Sequence, residues 1–175
     1  MLILGISGSL RAASSNSRLL AAATGFVPVG STLVISAPLR DLPPFDPDDS
    51  VDSHVAVAAW VREMKRADAV IVSTPEYARG YPGSLKNALD WLVGTDAFIE
   101  KPFMLLSASS RSTVAQQTLT TVLETMSGVH IASASTTIPL LGTTLSVAQI
   151  AEHSQFAIAL QTALATFVAQ IGNRG

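Results

Sequence analysis

The sequence predicts an open α/β fold in which helices cover both faces of a parallel sheet. Five short apolar runs of strand length alternate with five segments of helical periodicity along the 175 residues. The run "DAVIVST" (68–74) is apolar throughout its centre, as expected of a strand buried on both faces. The chain shows no internal repeat and no linker-like stretch. The alternation therefore predicts one doubly wound domain over residues 1–175.

The first elements lie between the N-terminus and a proline-rich segment. "LILGIS" (2–7) predicts a strand, and the alanine-rich "NSRLLAAATG" (16–25) predicts a helix that ends at its glycine. The β-branched "TLVISA" (32–37) predicts the second strand. "PLRDLPPFDPDDS" (38–50) contains four prolines and is expected to be irregular, with its aspartates in a solvated loop.

The remaining chain continues the alternation. Apolar side chains at helical spacing predict the helices, and short apolar or β-branched runs predict the strands. The predicted elements are a helix over 54–67, the strand 68–74, a helix that begins near Pro82, the strand 102–109, a helix that ends near Gly128, the strand 129–135, and a long C-terminal helix with Leu160, Leu164, Phe167 and Ile171 along one side.

Composition narrows the classes of function. The net charge is −2 and only 14% of residues are charged, which gives no electrostatic case for a nucleic acid or a membrane surface as partner. The absence of cysteine excludes disulfides, thiol catalysis and cysteine metal sites. No signal peptide and no apolar run of about 18 residues is evident, so a cytoplasmic location is expected. The low charge also favours an oligomer that buries part of an apolar surface.

The loop "SGSLRAASSNS" (7–17) is the first candidate site, because ligands of such sheets bind beyond the carboxyl ends of the strands. It is rich in hydroxyls, carries the cation Arg11 and leads into a helix, whose free N–H groups and dipole favour a phosphate. Two interpretations stay open here. The loop is either an anion-binding cradle or a polar connection in which Ser15 or Asn16 caps the helix.

The stretch "TPEYARGYPGSLKNALDW" (74–91) is the second candidate site. Its prolines fix backbone angles, and its glycines permit close approach of another group. Such a loop suits a planar ring with a polar edge, held by backbone groups and walled by Tyr77 and Tyr81. The alternative is a rigid crossover turn whose tyrosines pack into the core.

Together the two loops resemble the NADPH-dependent FMN reductase family, the flavodoxin-like group that includes quinone, chromate and azo-dye reductases. "LRDLPPFDPD" (39–48) also resembles the acidic proline loop of that family, and the resemblance extends over residues 1–127. It implies a flavodoxin-like five-stranded parallel sheet of order 2-1-3-4-5 that binds FMN, with NADPH or NADH as electron donor. The flavin would carry the chemistry to a small-molecule acceptor by ping-pong kinetics, without a catalytic side chain or a metal.

The resemblance also implies a set of contacts. The first loop would face the phosphate of FMN, and the second would face its ring and ribityl chain, mostly through backbone groups. The implied FMN contacts are Ser9, Arg11, Ser14, Asn16, Ser17, Pro75, Glu76, Tyr77, Ala78 and Ser110. Arg79, Tyr81 and Arg111 are candidates for contact with NADPH or with an anionic substrate.

The chain departs from the family pattern at two places. Ala78 and Arg79 stand where the family usually has Asn-Gly, and "SASSRSTVAQQ" (107–117) lacks the usual glycine pair. Two other functions therefore stay open, a flavodoxin-type electron carrier and a flavin-free relative that acts as a binding or scaffold protein. Members of the family are commonly dimers or tetramers. Trp91 and the apolar side of the helix over 83–94 are candidates for that contact, with core packing as the alternative.

Overall fold

The computed structural model describes residues 1–37 and 39–173, so Pro38 of the predicted irregular segment lies outside the described residues. The strands are β1 (Leu2–Ser7), β2 (Thr32–Ile35), β3 (Ala69–Ser73), β4 (Pro102–Ser107), β5 (Val129–His130) and β6 (Thr136–Thr137). The helices are α1 (Ser15–Ala23), α2 (Val55–Arg66), α3 (Gly83–Val93), α4 (Thr113–Thr125), α5 (Val147–Glu152) and α6 (Ser154–Gly172).

The sheet is parallel and has the strand order β2-β1-β3-β4-β5, which confirms the predicted fold. The order reverses at β1, which lies between β2 and β3. In the pairing of β1 with β3, Ser7 is the register partner of Ser73, so both strands end at the same level. The loops that follow them leave the sheet side by side, at the position where open α/β sheets bind ligands.

Two hydrophobic cores lie on opposite faces of the sheet. Strand β3 serves both, because Val70 and Val72 pack with α2, α3 and α4, while Ala69 and Ile71 pack with α1 and α6. All five residues of β3 are buried, as the uninterrupted apolar run predicts. Each fully buried aliphatic side chain of this kind contributes roughly 1.5–3 kcal/mol. This rigid centre fixes the loops at the carboxyl edge.

Residues 129–135 do not form one continuous strand, so that prediction is wrong. After β5 the chain forms a 3-10 turn at Ala132–Ala134, and β6 then rejoins β4 further along. In the gap, the Ser135 hydroxyl accepts the Leu105 N–H at 3.0 Å, which replaces the missing ladder hydrogen bond. The His130 Nε2 lies 3.0 Å from the same hydroxyl, and its ring stacks on Phe103 with centroids 4.8 Å apart.

The predicted long C-terminal helix is α6, and a short separate helix, α5, precedes it. Ser146 starts α5 with a capping box to Gln149, and α6 begins after His153. The 19-residue helix α6 is long and apolar enough to span a membrane by length and composition, with a mean hydropathy of 1.3 over an 18-residue window. A core helix of a globular protein meets the same criteria, and one side of α6, including Leu164 and Phe167, is buried against the sheet.

The proline-rich segment is held by α3. The Asn87 side chain binds the backbone of this segment on both sides of Pro44. Its Nδ2 donates to Pro43 O at 2.8 Å, and its Oδ1 accepts the Phe45 N–H at 2.7 Å. The Trp91 Nε1 also donates to Pro43 O, at 2.9 Å. Trp91 is only 2% exposed within this chain, so its assignment to a subunit contact is wrong and core packing explains it.

The turn after β3 has two residues in the left-handed region. Ala78 has φ 49° and Arg79 has φ 62°. The flanking Tyr77 and Gly80 exchange backbone hydrogen bonds of 2.8 and 3.0 Å. Two central residues with positive φ define a type I′ turn, for which Asn-Gly is preferred. A Cβ atom in this conformation costs roughly 1–2 kcal/mol per residue. The chain thus keeps the turn geometry expected of Asn-Gly despite the departure in sequence.

Replacing both residues (Ala78→Asn with Arg79→Gly) is expected to raise the free energy of unfolding by about 1 kcal/mol, because strain is relieved while glycine adds some entropy to the unfolded chain. Urea denaturation measures the change. Arg62→Gly, within α2, is the matched control and should lower stability by about 1 kcal/mol. A double variant that is less stable than the parent would contradict the turn assignment.

Stability is expected to decrease as the pH falls below the ordinary histidine pKa of 6.5. Burial lowers the pKa of His130 in the folded chain, against a smaller opposite effect of Glu124. The unfolded chain therefore takes up this proton first, which favours unfolding as the pH falls. Urea denaturation at pH 7.5 and pH 5 should show a smaller loss for His130→Gln than for the parent. Equal losses would show that His130 does not contribute.

Candidate functional site

A cavity of about 360 Å³ lies at the carboxyl edge of the sheet. Its volume falls within the range of roughly 300–1,000 Å³ that is usual for small-molecule sites. The loop after β1 contributes Ser9, Arg11, Ala13, Ser14, Ser15 and Asn16, the loop after β3 contributes Pro75, Glu76 and Tyr77, the loop after β4 contributes Ala108, Ser109, Arg111 and Ser112, and Leu141 completes the wall.

The structure brings together most of the residues implied for FMN. Those that line the cavity are Ser9, Arg11, Ser14, Asn16, Pro75, Glu76 and Tyr77. Ser17 lines a neighbouring cavity, and Ala78 and Ser110 are not among the lining residues. Of the three residues implied for NADPH or an anionic substrate, Arg111 lines the cavity, whereas Arg79 and Tyr81 do not. Tyr81 packs partly against the core, and burial raises the pKa of its hydroxyl.

Polar side chains at the start of α1 present donors to the cavity. Ser14 is the N-cap, since its Oγ accepts the Ser17 N–H at 3.3 Å, so the alternative cap at Ser15 or Asn16 is wrong. The Ser15 Oγ accepts from the Arg18 Nη2 at 3.2 Å. Each of the two hydroxyls thus already accepts one hydrogen bond from the protein, while its O–H proton remains available to a ligand.

Asn16 completes this donor set. It is 7% exposed, and its Oδ1 accepts the Ser73 hydroxyl at 3.0 Å. That bond orients the amide so that Nδ2 remains as the free donor. A cradle that offers mainly N–H and O–H groups at a helix N-terminus favours an anion over a neutral group. The anion-binding interpretation and the helix cap therefore coexist in this loop.

Charges around the cavity favour an anion as well. Among residues 1–37 and 39–173, neither Arg11 nor Arg111 forms a salt bridge. Glu76 supplies the carboxylate of the lining, and its Oε2 accepts the Ala115 N–H at 3.0 Å, at the first turn of α4. The helix terminus thus partly compensates that negative charge. The lining therefore carries two arginines and one carboxylate, a balance that favours an anion.

The loops after β1 and β3 touch closely because of Gly8. A Cβ atom at this position would lie 2.3 Å from the Thr74 Oγ1, well inside contact distance. The Gly8 N–H also donates to Ser73 O at 2.9 Å. Only glycine allows this approach. It sets the donor cradle directly beside the Pro75–Tyr77 segment.

Apolar side chains lie exposed at the rim of the cavity. Tyr77 is 56% exposed on the loop after β3, and Leu141 is 61% exposed in the segment after β6. Large apolar groups left exposed beside donor-rich walls are typical of sites for ligands with a flat apolar body and a charged end. Ala108, Ser109, Ser112 and Leu141 were not predicted as lining residues.

Residues 1–140 match the model of the family described as NADPH-dependent FMN reductase. An NAD(P)H-dependent FMN reductase of Pseudomonas aeruginosa is 38% identical over 111 residues, which are 62% of this chain and 60% of that protein. A quinone reductase of Pseudomonas putida is 36% identical over 108 residues, 58% of this chain and 56% of that protein. The matched region therefore spans little more than half the length of these relatives.

Solved structures show the same architecture. FerB, a flavoenzyme NAD(P)H:(acceptor) oxidoreductase from Paracoccus denitrificans, superposes with a TM-score of 0.82 at 25% identity, over 98% of this chain and 97% of that one. The apo form of an NADH:FMN oxidoreductase superposes with a TM-score of 0.66 at 24% identity, over 97% and 89% of the two chains. Since the family model covers four fifths of the sequence, including the loops after β1, β3 and β4, this chain belongs to the NADPH-dependent FMN reductase family.

Proposed function

We propose that this chain is an FMN-dependent oxidoreductase that takes electrons from NADPH or NADH and passes them to a small acceptor. The observation that carries the proposal is the donor-rich cavity at the ends of β1, β3 and β4, with an apolar rim and with two arginines that form no salt bridge to any described residue. The names of the relatives, which include FMN, quinone and azo reductases, support the same class of reaction.

The residues present fit a bound FMN. Ser14, Ser15 and Asn16 would donate to its phosphate, and Arg11 would balance the charge. The Pro75–Tyr77 segment would hold the planar ring through backbone groups. The flavin, when bound, supplies hydride acceptance and onward electron transfer, so the protein needs no nucleophile or base of its own. Its side chains orient the ligands and shield them from water.

One shared cavity supports ping-pong kinetics. The cavity of about 360 Å³ is at the small end of the range for one ligand, so with a flavin in place the electron donor and the acceptor would have to approach it from the same open side. Electron donor and acceptor would therefore bind in turn at the same face. Quinones, azo compounds, free FMN and metal oxyanions are the acceptor classes that the proposal includes.

The alternatives have less support. A flavin-free scaffold protein was suggested by the missing glycine pair, yet Ala108, Ser109 and Ser112 line the cavity without filling it. A flavodoxin-type carrier docks on redox partners through patches of one sign. A net charge of −2 over 175 residues provides no obvious patch of that kind.

We propose further that the chain forms a homodimer or homotetramer in the cytoplasm, with the flavin near the subunit contact. Exposed apolar side chains support burial against a second copy, and Val93 at 66% and Ile158 at 65% are among them. Sedimentation velocity that gives the 18.3 kDa mass of a single chain would contradict the oligomer.

The full chain, saturated with FMN, is expected to oxidise NADPH with a benzoquinone as acceptor. Initial rates measured at several fixed quinone concentrations should give parallel double-reciprocal lines, because the two substrates take turns at one cavity. Protein without added flavin is the control. Intersecting lines would contradict the ping-pong order, and no oxidation by flavin-saturated protein with any acceptor class would contradict the proposed function.

A further inference from the structure

The loop after β4 repeats the residue pattern of the loop after β1. "SGSLR" (7–11) and "SASSR" (107–111) each begin with the last residue of a strand. Each has a second serine two positions later and an arginine four positions later. Both loops lead to a serine at the N-cap of a long helix, Ser14 for α1 and Ser112 for α4.

The hydrogen bonds of the first loop define a compact arrangement. The Ser7 Oγ accepts the Ser9 N–H at 3.4 Å, and the Ser9 Oγ accepts the Arg11 N–H at 3.3 Å. The Ser7 hydroxyl is also tied to α1, where it lies 2.8 Å from the Ser17 Oγ. This arrangement turns the Ser9 and Arg11 side chains to the cavity.

The second loop has the same bonds at equivalent positions. The Ser107 Oγ accepts the Ser109 N–H at 3.3 Å, and the Ser109 Oγ accepts the Arg111 N–H at 3.1 Å. A hydrogen bond also links this loop to its helix, because the Gln116 Nε2 of α4 donates to the Ser107 Oγ at 3.2 Å. Ser109 and Arg111 line the same cavity from the opposite loop.

Ser112 provides an independent indication of a ligand. It is 4% exposed and lines the cavity, yet its hydroxyl forms no hydrogen bond with any residue that the structure describes. Its capping role is not used, since the carboxylate of Glu76 takes the Ala115 N–H instead. The hydroxyl is not among the buried polar atoms without a partner, so it is open to the cavity, and its O–H is available to a bound group.

We propose that the loop over 107–112 is a second oxyanion subsite of the cavity. It would bind a phosphate, carboxylate or sulfonate on the electron donor or the acceptor, while the loop over 7–17 holds the FMN phosphate. The subsite deepens the proposed function and rests on it. Arg111 would supply the positive charge and a bidentate hydrogen bond, and the hydroxyls of Ser109 and Ser112 would donate to the same anion.

An oxyanion fits this loop better than a neutral ring edge. The polar edge of a flavin or quinone ring presents both donors and acceptors, or acceptors alone with no charge. The Ser109 Oγ already accepts the Arg111 N–H, which leaves one acceptor lone pair and the O–H donor, and a guanidinium has donors only. The loop therefore offers mainly donors and one positive charge, as the first loop does, while the Glu76 carboxylate at the start of α4 is already bonded to the Ala115 N–H. The glycine pair would lack these side chains.

The direct test is an NMR titration of the ¹⁵N-labelled, FMN-saturated full chain with inorganic phosphate. FMN occupies the first loop, so saturable shifts are expected in the amides of residues 109–114. Arg111→Ala should weaken this binding about tenfold. Gln117→Ala, exposed on α4 and outside the cavity lining, is the matched control. No saturable shift at 109–114, or an unchanged affinity in Arg111→Ala, would overturn the subsite.

The same titration separates this proposal from the proposed function. If the chain does not bind FMN, the proposed function fails, and phosphate is then added to the protein alone. Shifts in both loops, over 9–16 and over 109–114, would support the second subsite even in that case. Shifts confined to 9–16 would overturn it.

Measuring kcat/KM for Arg111→Ala and for the parent shows whether the bound oxyanion belongs to the electron donor or to the acceptor. NADPH and NADH are compared as donors, and anthraquinone-2-sulfonate and a neutral benzoquinone as acceptors. A loss of about tenfold for NADPH but not NADH assigns the subsite to the 2′-phosphate, and equal losses for both assign it to the pyrophosphate that they share. A loss only for the sulfonate assigns it to the acceptor. A kcat/KM in Arg111→Ala that equals the parent value with all four compounds would contradict the proposal. Arg62→Ala, an exposed arginine of α2 outside the cavity lining, is the comparison variant.

Discussion

The parallel pairing of β1 with β3 is the constraint on which the rest of the structure depends. Because Ser7 and Ser73 are register partners, the two strands end together and their loops leave the sheet at one point. Gly8 then allows the loops to touch, where any side chain would collide with Thr74. The buried bond from Ser73 to Asn16 links the end of β3 to the first turn of α1. A one-residue slip in this register would separate the donor cradle from the Pro75–Tyr77 segment and reverse the buried face of β3.

A second link joins the cradle to the C-terminal part of the chain, beyond the residues that match the family model. The Arg18 guanidinium donates to Ser15 Oγ and also to the backbone oxygens of Thr143 and Leu145. One side chain thus orients a hydroxyl of the cavity and holds the segment that carries Leu141. Within the described part of the chain the Arg18 Nε is buried without a partner, so this position is kept at some energetic cost. Arg18 therefore links the segment that carries Leu141 to the start of α1.

Much of this arrangement could be predicted from the sequence, because strand periodicity and loop composition are local signals. The sheet order and the lining by Ser9, Arg11 and the Pro75–Tyr77 segment followed from the pattern and the family resemblance. The break in the last strand could not be predicted, since it depends on the Ser135 hydroxyl meeting Leu105 in three dimensions. Leu141 could not be predicted either, because Arg18 fixes its segment from far away in sequence. The repeated Ser-x-Ser-x-Arg pattern, by contrast, was visible in the sequence, but in the loop after β4 only Ser110 and Arg111 were predicted as contacts, and the repeat itself was not used.

The central claim is that the loop after β1 binds FMN through its phosphate. The most direct measurement is an absorbance titration of the purified chain and of Arg11→Ala with FMN and with riboflavin, which lacks the phosphate. The account predicts that the parent binds FMN more tightly than riboflavin, and that Arg11→Ala weakens FMN binding by about 10- to 100-fold while leaving riboflavin binding unchanged. Equal affinities of the parent for the two ligands, or equal losses in the variant, would contradict the claim.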